Sequence, residues 1–166
     1  MLARLGETET ARDMDARRHF AEARALVAEG QDPALDGWIL LGTGRLDRRI
    51  GRVEESRSAF LGAVRRFADT RDDRGAAHAL LALGDLDRDL SDADAAQDSY
   101  SGALDLFVHA GDRSGEAEAR MGLGEGFRAT APDRAAEKFR AAAKLFALAG
   151  FTEHSAAASA AADSLP

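Results

Sequence analysis

The sequence contains no cysteine, and this absence excludes disulfide bonds and thiolate chemistry. Proline occurs only three times and aromatic residues make up 6% of the chain, so long helices are uninterrupted and a core must be built from smaller side chains. No apolar run approaches the roughly 20 residues that cross a bilayer, and the first residues lack the hydrophobic segment of a signal peptide. We therefore expect a cytoplasmic protein that has no membrane partner.

The charge balance is acidic, with a formal net charge of −7 among 166 residues. Non-specific binding of nucleic acid is driven by basic charge, so we expect no nucleic-acid partner. Hydrophobic residues make up 45% of the chain, and many of them are alanine. An alanine-rich core needs backbones that approach closely, which stacked helices allow better than a sheet. The preference for arginine over lysine indicates a bacterial source.

An internal repeat of about 40 residues runs through the chain. Gly44, Gly84 and Gly124 recur at an interval of 40, and the last repeat shortens to 39 near Pro132. Because many other positions share this register, the repeat is a strong signal. The further aligned sets include Leu41, Leu81 and Met121; Phe20, Phe60, Tyr100 and Phe139; and Asp32, Asp72 and Asp112.

Each repeat is predicted to form two helices. The first helix begins at an aspartate suited to the N-cap, at Asp32, Asp72 or Asp112. The second begins near Arg52, Ser91-Asp92 or Ala131-Pro132, and Gly30, Gly111 and Gly150 follow helix ends. Glycine inside a helix costs about 1 kcal/mol relative to alanine, so the recurring Gly44, Gly84 and Gly124 indicate close packing of the paired helices.

These patterns predict an all-α fold, an α-α superhelix of antiparallel helix pairs in one domain over residues 1–166. Residues 1–31 form a partial first repeat in which Leu5-Gly6 could be the Leu-Gly step. The full repeats occupy 32–71, 72–111 and 112–150, and residues 151–166 form a C-terminal cap helix, which solenoids need at their ends.

The repeat resembles the tetratricopeptide (TPR) family. Its pattern of a large residue, two spacers, Leu-Gly and then Ala-x-x-x-aromatic-x-x-Ala is matched by Leu80-x-x-Leu83-Gly84 followed by Ala96, Tyr100 and Ala103. The period is longer than the usual ~34 residues, so the resemblance is to the long-repeat variants of the family. An aromatic residue expected three positions after the glycine is replaced by Asp47 and Asp87 and is present only as Phe127.

This resemblance implies a concave groove lined by the first helix of each repeat. The implied groove positions lie six and three residues before the glycine and one, four and five after it. They are Trp38, Leu41, Arg45, Arg48 and Arg49; His78, Leu81, Asp85, Arg88 and Asp89; and Glu118, Met121, Glu125, Arg128 and Ala129.

Arg48, Arg88 and Arg128 fall at one position of the three repeats and form an arginine ladder beside an apolar stripe of Leu41, Leu81 and Met121. Guanidinium groups suit carboxylates, so one hypothesis is a partner peptide with acidic residues. The alternative is local i,i+3 pairing of Asp85 with Arg88 and of Glu125 with Arg128. Trp38 is either an anchor for the partner or a packing residue against the first repeat.

No motif of catalysis or metal binding is present. The four histidines include no i,i+4 pair, and the sequence has no phosphate-binding loop and no Gly-x-Ser-x-Gly motif. We therefore expect no enzyme activity, no metal and no cofactor. The resemblance implies a protein- or peptide-binding scaffold or adaptor. The alternatives are a sensor segment of a larger bacterial signalling or transcription regulator, and a module that self-associates through its end repeats.

Overall fold

The computed structural model describes residues 2–30 and 32–165, with side chains for residues 12–27 and 32–165. Within these ranges the chain forms helices and no strand. The helices are α1 (Leu2–Gly30), α2 (Pro33–Arg49), α3 (Val53–Thr70), α4 (Asp73–Asp89), α5 (Ala93–Ala110), α6 (Arg113–Phe127), α7 (Pro132–Leu148) and α8 (Thr152–Asp163).

The helices stack in consecutive pairs. α2 packs on α3, α4 on α5 and α6 on α7, and each pair also packs on the next; the first helices α2, α4 and α6 touch one another in turn. The chain is therefore an all-α superhelix of antiparallel helix pairs, and the predicted fold class is confirmed.

Aspartates begin the first helix of each pair, as predicted. The side chain of Asp32 accepts a hydrogen bond from the backbone N–H of Leu35, and Asp72 and Asp112 do the same for Gly75 and Gly115 at 2.8 and 3.0 Å. Each bond satisfies one of the N–H groups that a helix start leaves without a partner. The second helices begin after Arg52, Asp92 and Ala131, within the predicted segments.

The helix ends agree with prediction at two of the three glycines. Gly111 and Gly150 have φ values of 68° and 84°, a left-handed conformation that glycine adopts without strain. Gly30 differs, because α1 includes it as its last residue.

The recurring glycines bring the paired helices together, as predicted. A Cβ atom on Gly44, Gly84 or Gly124 would lie 2.5, 2.8 or 2.5 Å from the aromatic ring of the second helix, which is Phe60, Tyr100 or Phe139. These rings are buried, with at most 2% of Tyr100 exposed. The aromatic ring of each pair therefore fills the space that the missing side chain leaves.

The partial first repeat is the single helix α1. Phe20 contacts the next pair, where a Cβ on Gly42 would lie 2.8 Å from its ring. The side chain of Leu5 and the proposed Leu5-Gly6 step lie outside the residues whose side chains the structure describes.

An ion pair with a buried carboxylate lies at two of the joints, meaning the contacts between the second helix of one pair and the first helix of the next. Asp47 of α2 lies 2.8 Å from Nε of Arg17 in α1, and Asp87 of α4 lies 2.6 Å from Nη1 of Arg57 in α3. Asp87 also accepts a hydrogen bond from the Ser99 hydroxyl. Asp47 and Asp87 are each 1% exposed, so the guanidinium groups supply the charge that water cannot.

The joint between α5 and α6 lacks this ion pair. Gln97 stands where the earlier joints have arginine, and Phe127 stands where they have aspartate. The guanidinium of Arg134 lies 3.9 Å from the centre of the Phe127 ring, which is a cation–π contact. The departure of Asp47 and Asp87 from the aromatic pattern is thus explained by their arginine partners.

Candidate functional site

A trough runs between α4, α6 and α8 on the face formed by the first helices. It encloses about 330 Å³, at the lower end of the ~300–1,000 Å³ range of ligand pockets. Its apolar part is formed by Leu81, Met121, Gly122, Phe146 and Ala157, and its charged part by Asp85, Arg88, Glu118, Glu125 and His154.

A second cavity of about 400 Å³ adjoins the trough and shares Arg88, Gly122 and Glu125 with it. It extends toward the loop between α4 and α5, past Ser91 and Asp94. The two cavities flank the same Arg88 and Glu125 side chains. Both cavities are lined in part by residues of α6.

A third cavity, of about 980 Å³, lies between α1 and the pair α2–α3. Its arginines are already engaged, since Arg24 and Arg66 both donate to Asp36 at 2.9 and 2.7 Å and Arg17 donates to Asp47. We therefore place the candidate site in the trough.

The arginines of the ladder form ion pairs with neighbouring carboxylates of the protein. Arg48 donates through Nε to Asp89 of the next pair at 2.7 Å and lies 3.6 Å from Asp85. The hydrogen bond to Asp89 is the main reason that the pKa of Arg48 is raised above its ordinary value. The first rung of the ladder thus joins α2 to α4.

The other two rungs have the i,i+3 pairs of the local-pairing alternative. Arg88 lies 3.3 Å from Asp85, and Arg128 donates to both oxygens of Glu125 at 2.9 Å. The hydrogen bond from Arg128 to Glu125 raises the pKa of the guanidinium. Arg45, by contrast, is exposed and has no ion pair among the described side chains.

The apolar stripe lies deeper than predicted. Leu41 is 1% exposed and belongs to the core around Phe60, so it presents no surface to a ligand. Leu81 is 9% exposed and Met121 is half-buried, and both line the trough. The prediction of Leu41 as a groove residue is wrong, because its side chain is buried in the core shared by α2, α3 and α4.

Trp38 combines packing with exposure. Its ring meets Phe67 of α3 edge-on at 5.0 Å and lies 6.2 Å from His78, while 43% of the residue is exposed. Its aromatic partners belong to its own pair and the next one, and packing against the first repeat stays a prediction. Its role as an anchor stays a prediction.

His78 occupies the same position in the second pair and is half-buried. Its ring packs edge-on against Phe107 at 4.9 Å, beside Trp38. Burial lowers the pKa of His78 below its ordinary value, although Asp112 opposes the shift. His78 therefore forms part of an aromatic cluster on this face and does not line the trough.

Glu118 follows Trp38 and His78 in this row and lines the trough. Loss of hydration raises the pKa of its carboxyl, and nearby Asp112 and Asp85 add to the shift. No cation forms an ion pair with Glu118 among the side chains that the structure describes. It is thus a carboxylate that faces the trough without a matching charge.

Four residues of the trough lining were not among the predicted groove positions, and they are Gly122, Phe146, His154 and Ala157. Tyr100, which lines the adjoining cavity, donates its hydroxyl proton to Asp85 at 2.8 Å, and burial with this bond holds the pKa of Tyr100 well above its ordinary value. His154 and Ala157 lie on α8, which stacks as the first helix of a further pair would. The 39-residue offset of the last repeat aligns Ala157 with Glu118 and is the signal that could have found it.

In the trough, the structure brings together six of the predicted groove positions, which are Leu81, Asp85, Arg88, Glu118, Met121 and Glu125. Other predicted site residues lie outside the lining of the trough: Trp38, Arg45 and Arg48 on α2, His78 on α4, and Arg128 just after α6. No cluster of His, Asp or Glu suited to a metal occurs among the described residues. Over that same part of the chain, every helix is too short or too polar to cross a bilayer.

The fold and the trough define a helical solenoid with a ligand-sized cleft. No protein-family model and no curated protein matches the chain. Among solved structures, the fold is similar to that of BtubC (BKLC) from P. vanneervenii, with a TM-score of 0.70 and 18% sequence identity. The match covers 94% of this chain and 74% of BtubC, and at this identity it shows the fold alone.

Proposed function

We propose that this chain is a TPR-like module of the long-repeat kind that binds a segment of another protein as a scaffold or adaptor. The observation that carries the proposal is the trough between α4, α6 and α8, which has an apolar floor and a charged rim. Such a combination holds a side chain by burial and orients it by hydrogen bonds.

The adjoining cavity supports a peptide as the ligand. The two cavities lie on either side of Arg88 and Glu125 and together run across α6. A small compact ligand needs only one of them, whereas an extended chain uses both. Fold likeness adds nothing to this argument, because helical solenoids serve many partners.

Selection from a phage-displayed library of random peptides tests the proposal. Ala157 is exposed on α8 and lines the trough, so Ala157→Trp fills the trough with a large ring. Ala156 is exposed one residue earlier and is not part of the lining, which makes Ala156→Trp the matched control. Peptides enriched on the wild-type protein should bind the Ala156→Trp variant and lose binding to the Ala157→Trp variant.

Two results would contradict the proposed function. One is that no peptide is enriched above the background of the support. The other is that the enriched peptides bind the Ala157→Trp variant as tightly as the wild-type protein in fluorescence anisotropy.

A further inference from the structure

The trough has an excess of negative charge. Its rim carries the carboxylates of Asp85, Glu118 and Glu125 and a single arginine, Arg88. Arg48 and Arg88 engage Asp85, and Arg128 engages Glu125. Glu118 remains: the residue is exposed at the rim, and partial loss of hydration raises the pKa of its carboxyl.

The groups that face Glu118 from the packed helices leave this charge uncompensated. Asp112 and Asp85 repel it, while Arg45 of α2 and His154 of α8 attract it from beyond the distance of an ion pair. Asp112 in turn lies 2.8 Å from Arg74. A cation that enters the trough would therefore complete the pairing on this face.

The floor below these carboxylates is apolar. Leu81 and Met121 come from the adjacent helices α4 and α6, and Phe146 of α7 closes the far side, where its ring lies 5.3 Å from His154. The cavity of about 330 Å³ has room for one long side chain. Lysine and arginine combine an apolar stem with a charged head, and they bury the stem while the head stays hydrated or paired.

We propose that the trough binds a lysine or arginine side chain of the partner peptide, with its stem on Leu81, Met121 and Phe146 and its charged head at Glu118. This inference rests on the proposed function and names the chemistry of its ligand. The charge proposed for the ligand is opposite to that of the acidic peptide suggested by the arginine ladder, because the arginines of the ladder are already paired with carboxylates of the protein.

The test uses the peptides that the phage library yields and that depend on the trough, as shown by their loss on Ala157→Trp. We expect these peptides to share a basic residue. Replacing that residue with alanine should weaken binding to the wild-type protein by about tenfold, as charge-assisted hydrogen bonds are stronger than neutral ones.

A double-mutant cycle assigns the contact to Glu118. Glu118→Gln should weaken the binding of the parent peptide by a similar factor and leave the binding of the alanine-substituted peptide unchanged. Glu118→Lys should shift the selection toward acidic peptides. Glu137→Lys is the matched control, because Glu137 lies on α7 with 71% of its side chain exposed and outside the trough.

The outcomes separate the two proposals. Trough-dependent peptides that lack a basic residue, or that bind Glu118→Gln as tightly as the wild-type protein, would overturn the cationic ligand while leaving the peptide-binding function in place. A library that yields no trough-dependent peptide would overturn both. Circular dichroism melts of each variant check that the fold is retained.

Discussion

Two glycines of α6 differ in what surrounds them. A Cβ on Gly124 would lie 2.5 Å from the Phe139 ring, whereas a Cβ on Gly126 would meet nothing within 4 Å. The rings of the second helices are wedged against the first helices at this point and cannot retreat, since Phe139 is fully buried.

We expect Gly124→Ala to lower the free energy of unfolding by about 1–3 kcal/mol, the usual cost of overpacking a core. Gly126→Ala serves as the control and should be neutral or stabilising by up to about 1 kcal/mol, because alanine favours the helix. Urea unfolding followed by circular dichroism measures both. Equal effects of the two substitutions would show that the close approach is unimportant.

His78 gives the fold a dependence on pH. Burial against Trp38 and Phe107 lowers its pKa in the folded state below the ordinary 6.5. The unfolded chain therefore takes up a proton at a higher pH than the folded protein does. The neutral ring contributes its full stability above the unfolded pKa, and this contribution is lost as the pH falls from 6.5 toward the lower, folded value.

Replacing His78 with leucine should remove this loss. As the pH falls from about 7.5 to about 5.5, the range in which histidine titrates, we expect the His78→Leu variant to become more stable relative to the wild-type protein. Urea unfolding at the two pH values gives the comparison, in which other titrating groups cancel. A relative stability that does not change between them would rule out His78 as the source.

Between elements, the joint from α3 to α4 depends on a charge pair with one buried member. Arg57 and Asp87 are 2.6 Å apart, and the carboxylate is buried while a third of the arginine side chain is exposed. A double-mutant cycle with Arg57→Gln and Asp87→Asn should give a coupling energy of about 1–3 kcal/mol, as for contacting residues of one network.

The exposed pair Arg18 and Glu22 on α1 is the control for that cycle. Its atoms lie 3.8 Å apart, and both side chains are more than half exposed. Coupling there should stay below about 0.5 kcal/mol. If the two cycles gave the same coupling, burial of Asp87 would not matter to the joint.

The sequence predicted the helices better than the contacts among their charged side chains. Helix starts are local, since an aspartate caps N–H groups within its own turn, and Asp32, Asp72 and Asp112 were recognised for that reason. Arg48 has two carboxylates of α4 within reach, Asp85 and Asp89, and donates to Asp89, 41 residues away. Such a choice depends on side-chain rotamers in the assembled fold, which no local pattern encodes.

For the trough, the repeat register predicted six of the ten lining residues. They lie at the implied groove positions of the first helices and are Leu81, Asp85, Arg88, Glu118, Met121 and Glu125. The part contributed by α8 was missed, because this helix lacks the Leu-Gly step even though it stacks in the same way. Alanines occupy both the buried and the exposed faces of α8, so its sequence shows little hydrophobic periodicity.

On the scale of the whole molecule, stability is shared between neighbours. Ala158 of α8 is fully buried in a cluster with Ala117, Ala142 and Phe146. Ala158→Glu would place a charge there and should detach α8. In a solenoid each unit contacts only its neighbours, so amide hydrogen exchange should rise in α7 and α8 and change little in α2 and α3.

Ala156→Glu is the control for this experiment, because Ala156 is exposed on the same helix. It should leave the exchange of α7 unaltered. Uniform loss of protection along the chain in the Ala158→Glu variant would instead indicate a single cooperative unit.

The joints also record an order among the repeats. The helix pairs share one repeat pattern, yet they are not interchangeable. A copy of residues 72–111 in place of residues 112–150 would place the copy of Asp87 against Gln97. The buried carboxylate would then lack the arginine partner that Asp87 has in Arg57. The reverse exchange would set Phe127 against Arg57. The residues at each joint thus determine which helix pair can follow. In a library of shuffled repeats, we expect selection for folded proteins to recover the natural order of the pairs.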